Sequence, residues 1–207
     1  MNPDIQRATP EADAGPPPQA NACDTLEDTT LALRARTGDA GAFAALVERY
    51  APRVHALAWR LLRDPLDAEE LVQESFLRAY RYLPRWDASL PFRAWLYAIA
   101  THAGFNMLRA RRRRGVEVPL EEHALVQSVE REPVDSVRHA AHRAELRVRI
   151  EAAVDRLPPR TALLVYLHYT EGLSVAEAAE ATGMREGAAK TALCRARKQL
   201  REWLAGD

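Results

Sequence analysis

The sequence predicts an all-α protein of two small helical domains joined by a flexible acidic linker. Helix-forming Ala, Leu, Arg and Glu dominate the composition, and alternating strand-like runs of Val, Ile and Thr are scarce. Apolar residues also recur at spacings of three and four along most of the chain, which is the helical period. At 207 residues the chain has room for one or two small domains. No apolar run reaches the roughly 20 residues of a membrane span, so no membrane insertion is expected.

The N-terminal segment, residues 1–28, is predicted to be a disordered tail. It is rich in Pro and Ala and has no regular apolar period, a composition that buries too little surface to fold. It also lacks the basic start and apolar core of a secretory signal, so a cytoplasmic location is expected. Order should begin near Leu26 or Thr29.

The first domain is predicted over residues 29–114 and contains four helices. Its first two helices are separated by Thr37-Gly38-Asp39, where Asp39 is suited to cap the long helix that follows. That long amphipathic helix is expected to bend at Pro52. A second break lies at 63–65. The helices are expected over residues 31–36, 39–61, 67–82 and 91–112.

The second domain is predicted over residues 140–207, after a linker over 115–139. The linker is acidic and has no clear period. A helix should run from near 137 to 157, and a further helix should follow the Pro158-Pro159 break and end at Tyr169. Two more helices, joined by a tight turn, then occupy residues 173–204.

The segment 173–204 has the pattern of a helix-turn-helix unit. Gly183 lies where a left-handed residue can end the first helix without a steric penalty. The second helix has an apolar side and a basic side, as does a helix that enters the DNA major groove. A helix pair with a merely solvated basic face is the alternative. The two apolar stripes comprise Leu173, Ala176, Ala179 and Ala181, then Ala189, Leu193, Ala196 and Leu200; the polar side carries Lys190, Thr191, Arg195, Arg197, Lys198 and Arg201.

The net charge of zero is the sum of opposed blocks. Residues 1–30 and 115–142 are acidic, whereas residues 98–114 contain Arg109 and Arg111 to Arg114 with no acid. Because local blocks govern attraction to nucleic acid, the neutral total does not exclude such a partner. Cys23 and Cys194 lie far apart, and no Cys/His cluster accompanies them. Neither a metal site nor a cofactor is therefore expected.

An acidic face is predicted on the third helix. Its apolar face carries Leu71, Phe76 and Ala79, which leaves the acidic and amide side chains elsewhere on the surface. Such a face is usually only solvated. The functional alternative is a docking surface for a basic protein, which complementary charge would steer. The residues concerned are Asp67, Glu70, Gln73 and Glu74.

A loop with aromatic and polar side chains precedes the arginine-rich fourth helix. Aromatic rings and polar groups beside a basic surface suit unpaired bases, which stack on rings and expose their edges. The arginines would add sequence-independent attraction to the backbone. Some of the rings must instead belong to the core, since Phe92, Trp95 and Ile99 fit one buried stripe. The loop candidates are Trp86, Asp87, Ser89, Phe92 and Arg93.

Three segments in order resemble the sigma-70 family, and within it the two-domain sigma factors of the extracytoplasmic-function type. They are DAEELVQESFLRAYR from Asp67, FRAWLYAIA from Phe92, and the stretch from Leu157 to Leu200. The resemblance implies a region 2 domain over 29–114 and a region 4 domain over 140–207. It implies no catalytic residues and no small-molecule substrate.

The resemblance also implies partners and residue roles. Asp67, Glu70, Gln73 and Glu74 would bind the coiled coil of the polymerase β′ clamp, and the second domain would contact the β flap. An anti-sigma factor, often membrane-bound, is a further expected partner. The −10 promoter element would be bound by Trp86, Asp87, Ser89, Phe92, Arg93, His102, Asn106, Arg109 and Arg113, and the −35 element by Lys190, Thr191, Arg195 and Arg197.

Departures from the family pattern leave the promoter sequence open. Thr101-His102 replaces a common Arg-Asn pair, and Ala192 and Cys194 stand at positions of the recognition helix where the family often has Arg and His. Two other interpretations remain. One is a conventional helix-turn-helix regulator that binds duplex DNA alone, and the other is a purely protein-binding regulator with a decayed DNA surface.

Overall fold

A computed structural model describes residues 22–113 and 137–205, with side chains from Leu26 and from Glu145 onward in the two parts. The all-α prediction is confirmed, because the described residues form helices and no strand. The predicted linker and residues 1–21 of the predicted tail lie outside the described residues. The helices are α1 Ala22–Arg36, α2 Ala40–Leu62, α3 Pro65–Tyr82, α4 Phe92–Arg113, α5 Val137–Asp155, α6 Pro159–Val165, α7 Val175–Thr182 and α8 Glu186–Ala205, with a 3-10 turn at Leu83–Arg85 and a π turn at Tyr166–Thr170.

The predicted breaks between helices are confirmed, and local capping explains them. Asp39 accepts a hydrogen bond from the Ala42 backbone N–H at 3.0 Å, and Asp64 does the same for Asp67 at 2.9 Å. Arg63 ends α2 in a left-handed conformation with φ 54°. Gly183 ends α7 in the same conformation with φ 67°, so its lack of a Cβ matters there.

The predicted start of order was too late, because α1 begins at Ala22. Asp28 explains the difference, since its side chain is buried. Its carboxylate accepts hydrogen bonds from the Tyr50 hydroxyl and from Arg49 Nη1, the latter at 2.6 Å. Sequence alone makes this acidic segment look solvated, whereas contacts with α2 fix it on the domain.

The first domain packs α1 to α4 around one apolar core. Helix α2 contributes its predicted apolar face, and α3 and α4 close over it with Leu71 and Leu96 fully buried. Thr101 is also fully buried, so it faces this core rather than solvent. The helical period also predicts Tyr80 on the apolar face of α3, but Tyr80 is 57% exposed and its ring packs edge-on against Phe43.

The second domain packs α5 to α8 together, with the helix-turn-helix in α7 and α8. A capping box between Ser174 and Glu177 fixes the start of α7. The predicted stripe on α8 lies against the core, but on α7 Ala176 is exposed and Ala178 is buried instead. The short helix α7 also packs against α4 of the first domain, so the two domains share one continuous core.

Gly104 tests the packing of α2, α3 and α4. A Cβ at this helical position would overlap the Leu61 side chain and lie 2.9 Å from Leu71 Cδ2. We expect Gly104→Ala to lower the free energy of unfolding by about 1–3 kcal/mol in urea denaturation, because overpacking outweighs the better helix propensity of alanine. Gly187→Ala, where a Cβ meets nothing within 4 Å, is the control and should be neutral or mildly stabilising. Equal effects of the two substitutions would contradict the tight packing at Gly104.

Candidate nucleic-acid interface

The acidic face of α3 also carries exposed apolar side chains. Leu66 and Leu77 are 76% and 61% exposed, and they lie at helical spacing from Glu70 and Gln73, which are exposed too. Large apolar side chains among charges on one helix face are typical of protein-binding surfaces. An open groove of about 320 Å³ between α2 and α3 adjoins this face and is lined by Ala51, Pro52, His55, Glu69, Val72 and Gln73.

Two of the four predicted docking residues have partners within the chain. Glu74 pairs with Arg78 at 2.5 Å one helical turn away. Asp67 is half-buried, and its Oδ2 accepts a hydrogen bond from Arg111 Nη1 at 2.6 Å. The Asp67 carboxylate therefore links the start of α3 to the end of α4, and Glu70 and Gln73 are the more accessible members of the set.

The loop before α4 places its aromatic rings inward, which corrects part of the prediction. Trp86 is 2% exposed, Phe92 is fully buried, and their ring centroids lie 5.9 Å apart in a T-shaped contact. Neither ring can stack on a base from this position. The two rings pack beneath the loop instead. Their burial stabilises the core and thereby holds the loop in place.

The polar loop residues Asp87 and Ser89 are exposed. Asp87 Oδ1 accepts a hydrogen bond from the Ser89 backbone N–H at 2.9 Å. That bond, together with one from the Ser89 side chain, lowers the pKa of Asp87 from its ordinary value. The carboxylate therefore stays charged and fixes the shape of the turn. The Arg93 side chain, by contrast, is partly buried against the second domain.

Helix α4 presents four of the predicted residues in one exposed row. His102, Asn106, Arg109 and Arg113 follow one another at spacings of four, three and four, and each is exposed. Arg109 Nη2 donates a hydrogen bond to Asn106 Oδ1 at 2.8 Å. This row combines guanidinium charge with polar groups and can bind phosphates together with base edges.

The polar side of α8 is also exposed. Lys190, Thr191 and Arg195 all face solvent, and Arg197 is partly buried. Lys190 Nζ lies 3.0 Å from Glu186 Oε1, and the Thr191 hydroxyl donates to the Gly187 carbonyl at 3.0 Å. Because these contacts are exposed and local, they are easily exchanged for contacts with DNA.

A cluster that the sequence did not predict lies between the domains. Glu171 is 8% exposed, and its carboxylate accepts hydrogen bonds from two phenols. One is the Tyr97 hydroxyl of α4, and the other is the Tyr166 hydroxyl at 2.7 Å. Arg93 Nη2 donates to the Gly172 carbonyl at 3.1 Å, and Nη1 approaches the Glu171 carbonyl at 3.5 Å. No local pattern marks these residues, since only folding brings 97 and 171 together.

Charged pairs surround this cluster. Arg60 Nη2 lies 3.5 Å from Glu151, and Arg63 bonds to Asp155. The Arg60 guanidinium also lies 4.9 Å from the centre of the Tyr166 ring. The Arg160 guanidinium lies over the ring of Phe105, 5.1 Å from the ring centre. These are contacts between the two domains in every case.

Within the described residues, no group of three or more His, Cys, Asp or Glu side chains could hold a metal ion. None of the helices described here is long and apolar enough to cross a membrane.

Comparison with known proteins identifies the class. Residues 46–114 match the family described as Sigma-70 region 2, and residues 147–200 match Sigma-70, region 4. These are the two halves of the fold described above. The solved structure of CnrH in complex with the cytosolic domain of CnrY superposes with a TM-score of 0.61 at 26% identity, covering 87% of this chain and 99% of that one.

Two curated relatives narrow the class. The ECF RNA polymerase sigma factor SigE of Mycolicibacterium smegmatis is 34% identical over 182 residues, which cover 86% of this chain and 69% of the relative. SigF of Caulobacter vibrioides, also an ECF RNA polymerase sigma factor, is 34% identical over 173 residues, covering 83% and 90%. The chain belongs to the ECF RNA polymerase sigma factors of the sigma-70 family. Sigma factors are DNA-binding transcription initiation factors rather than catalysts.

The buried phenols of the cluster predict a loss of stability in alkali. Burial, followed by the charge of Glu171, raises the pKa of Tyr97 and of Tyr166 above the ordinary value of about 10. Folded pKa values above the unfolded ones give stability that is complete below about pH 10 and is lost as the pH rises further. We expect the free energy of unfolding to fall there by about 1.4 kcal/mol per pH unit for each such phenol.

Urea denaturation between about pH 9 and 11 measures this slope. Tyr97→Phe should make the slope shallower, because it removes one of the phenols that stays protonated in the folded state. Tyr80→Phe, which removes the hydroxyl of a tyrosine that is 57% exposed, is the matched control. An unchanged slope in Tyr97→Phe would contradict the predicted linkage.

Proposed function

We propose that this chain binds core RNA polymerase and directs promoter recognition, promoter melting and transcription initiation at a specific set of genes. The observation that carries the proposal is the presence of two separate kinds of surface on one small domain. Helix α3 exposes acids and leucines suited to a protein, while α4 exposes a basic and polar row suited to DNA. A conventional helix-turn-helix regulator has no use for the first surface.

The polymerase contact is proposed on α3. Glu70 and Glu74 would supply charge complementary to the coiled coil of the β′ clamp, and Gln73 would supply a neutral amide for hydrogen bonding. Leu66 and Leu77 would supply apolar area at the edges of this surface. Asp67 would act on the same surface while also holding α4 through Arg111. The second domain would contact the β flap.

The −10 contact is proposed on α4 and the loop before it. The row His102, Asn106, Arg109 and Arg113 would bind DNA, and Asp87 and Ser89 would meet an unpaired base. Trp86 and Phe92 would support the loop. Melting would use binding energy alone, since strands that part are captured as they open.

The −35 contact is proposed on α8. Lys190, Thr191, Arg195 and Arg197 lie on the helix that follows the helix-turn-helix turn, which is the helix that enters the major groove in this motif. No catalytic residue and no cofactor are needed for any of these steps.

An anti-sigma factor is the further proposed partner. CnrH was solved with a second protein, the cytosolic domain of CnrY. A comparable partner would cover the acidic and basic surfaces of this chain and could hold it at the membrane; the chain itself would act in the cytoplasm.

The deciding experiment is binding of the purified full chain to bacterial core RNA polymerase without DNA. Tight one-to-one binding is expected. Binding to duplex DNA without binding to polymerase would instead identify a conventional regulator and remove the docking role of α3. Failure of both would favour the protein-binding regulator.

Charge reversal tests the docking surface. We expect Glu70→Lys together with Glu74→Lys to abolish polymerase binding, because two complementary charges become repulsive at the proposed contact. Helical content should stay unchanged by circular dichroism. Glu48→Lys with Glu180→Lys, two exposed acids away from α3, is the control of equal charge change. Retained binding in the α3 variant would place the interface elsewhere.

Arg195 tests the −35 surface. If its guanidinium contacts a base edge, Arg195→Ala should cost about 1–3 kcal/mol of binding free energy, and the loss should disappear when one promoter position is changed. Arg201→Ala on the same helix is the comparison. Binding to a panel of promoter variants measures the effect, and a uniform loss over all sequences would reduce Arg195 to a phosphate contact.

A further inference from the structure

We propose that Asp28 is a positioning residue for promoter binding, which holds the loop before α4 in place by acting through Tyr50 and Phe92. The N-terminal helix α1 thereby takes part in the −10 contact without touching DNA. This role of Asp28 rests on the proposed function, because Asp87 and Ser89 of the loop are the residues proposed to meet an unpaired base.

A buried carboxylate joins α1 to α2. The Asp28 side chain is 2% exposed, and it accepts hydrogen bonds from the Tyr50 hydroxyl and, at 2.6 Å, from Arg49 Nη1. A charge inside a protein must be paired and hydrogen-bonded, and removing it leaves its donors unsatisfied. Burial, followed by the bond to Asp28, raises the pKa of Tyr50 above its ordinary value, so the phenol remains a donor. Asp28 therefore fixes the position of the Tyr50 hydroxyl and, with it, of the ring.

The Tyr50 ring continues this contact towards the loop. Its centroid lies 5.9 Å from that of Phe92, and the Phe92 centroid lies 5.9 Å from that of Trp86. All three rings are buried, and those of Phe92 and Trp86 pack beneath the loop. Because a close-packed interior transmits the displacement of one side chain to its neighbours, a shift of Tyr50 would move the rings that support the loop.

Hydrogen bonds between near neighbours shape the loop but do not fix its place on the domain. The Trp86 backbone N–H donates to the Leu83 carbonyl at 3.1 Å, and the Leu90 N–H donates to the Asp87 carbonyl at 3.0 Å. Both bonds join residues three positions apart, so each closes only a local turn. The rings beneath the loop supply the attachment to the domain. Helix α1 also packs directly against the 3-10 turn that precedes the loop, so α1 reaches the loop in two ways.

The first readout is amide hydrogen exchange of the full chain, followed for each residue by NMR. We expect Asp28→Ala to speed exchange at the Trp86 and Leu90 amides by about tenfold, because the loop opens more often when its support is loosened. A loss of stability without any effect on loop position would instead show chiefly in the core amides of α3, which exchange through wider unfolding. The two groups of amides therefore separate a positioning role from a merely structural one.

The second readout is binding of the full chain to a mixed-sequence single-stranded DNA of about 20 nucleotides, since about 4–16 nucleotides fill one single-strand site. We expect Asp28→Ala to weaken binding about fivefold, although removal of a negative charge would by itself strengthen it. Asp28→Asn, which keeps an oxygen acceptor for the Tyr50 hydroxyl, should restore most of the affinity. Tyr50→Phe should weaken binding as Asp28→Ala does, and combining the two should add nothing, because both remove the same bond.

Glu27→Ala is the matched control, because it removes the same charge from the neighbouring position of α1. The Glu27 side chain is 57% exposed and lies 3.1 Å from Arg49 Nη2. It should leave loop exchange unchanged and should not weaken DNA binding. Unchanged exchange at Trp86 and Leu90 in Asp28→Ala would overturn the proposal, and so would an equal loss of DNA affinity in Glu27→Ala. If the wild-type chain fails to bind single-stranded DNA, the proposed −10 contact fails, while hydrogen exchange still decides whether Asp28 positions the loop.

Discussion

Helix α4 is the element on which the rest of the structure depends, because three of its faces meet three different environments. One face completes the core of the first domain, and Gly104 permits the close approach of Leu61 and Leu71 there. A second face, with Arg93 and Tyr97, contacts the second domain. The third carries the exposed polar and basic row. A shift of α4 would therefore change the core packing, the contact between the domains and the proposed DNA-binding row together.

Charge separation on the first domain follows from the same arrangement. The acidic face of α3 and the arginine-rich end of α4 belong to neighbouring helices, and opposite charges so close tend to draw flexible side chains together. Asp67 and Arg111 do pair in this way, and both are largely withdrawn from solvent. Their ion pair ties the two helices, while Glu70 on α3 and Arg109 and Arg113 on α4 remain exposed. One small domain can thus offer separate surfaces to a protein and to DNA.

Similarity to known proteins and the geometry of the structure answer different questions about this chain. The relatives establish that this is an ECF RNA polymerase sigma factor. They do not say which side chains of this chain are accessible. Burial does so, because it removes Trp86 and Phe92 from the candidates for base stacking and adds Leu66 and Leu77 to the proposed polymerase surface. Residue roles therefore rest on the structure, while the class rests on similarity.

The sequence by itself determined the helices, their breaks and the class of protein, because these depend on local properties. Apolar spacing, the Asp39 cap, the break at 63–65 and the left-handed Gly183 act over a few residues, and each was readable in the chain. The order of the three family segments was readable in the same way. The early start of α1 was not, because Asp28 is ordered by Arg49 and Tyr50, which lie 21 and 22 residues further along the chain.

Only the tertiary structure decided which of the candidate site residues are accessible to solvent. An aromatic ring in a loop has the same sequence signature whether it faces solvent or the core, so the inward positions of Trp86 and Phe92 depended on packing. The contact between the domains depends even more on the tertiary structure. Tyr97 and Glu171 are 74 residues apart and show no common pattern, and burial of a carboxylate between phenols arises only when α4 and the second domain meet.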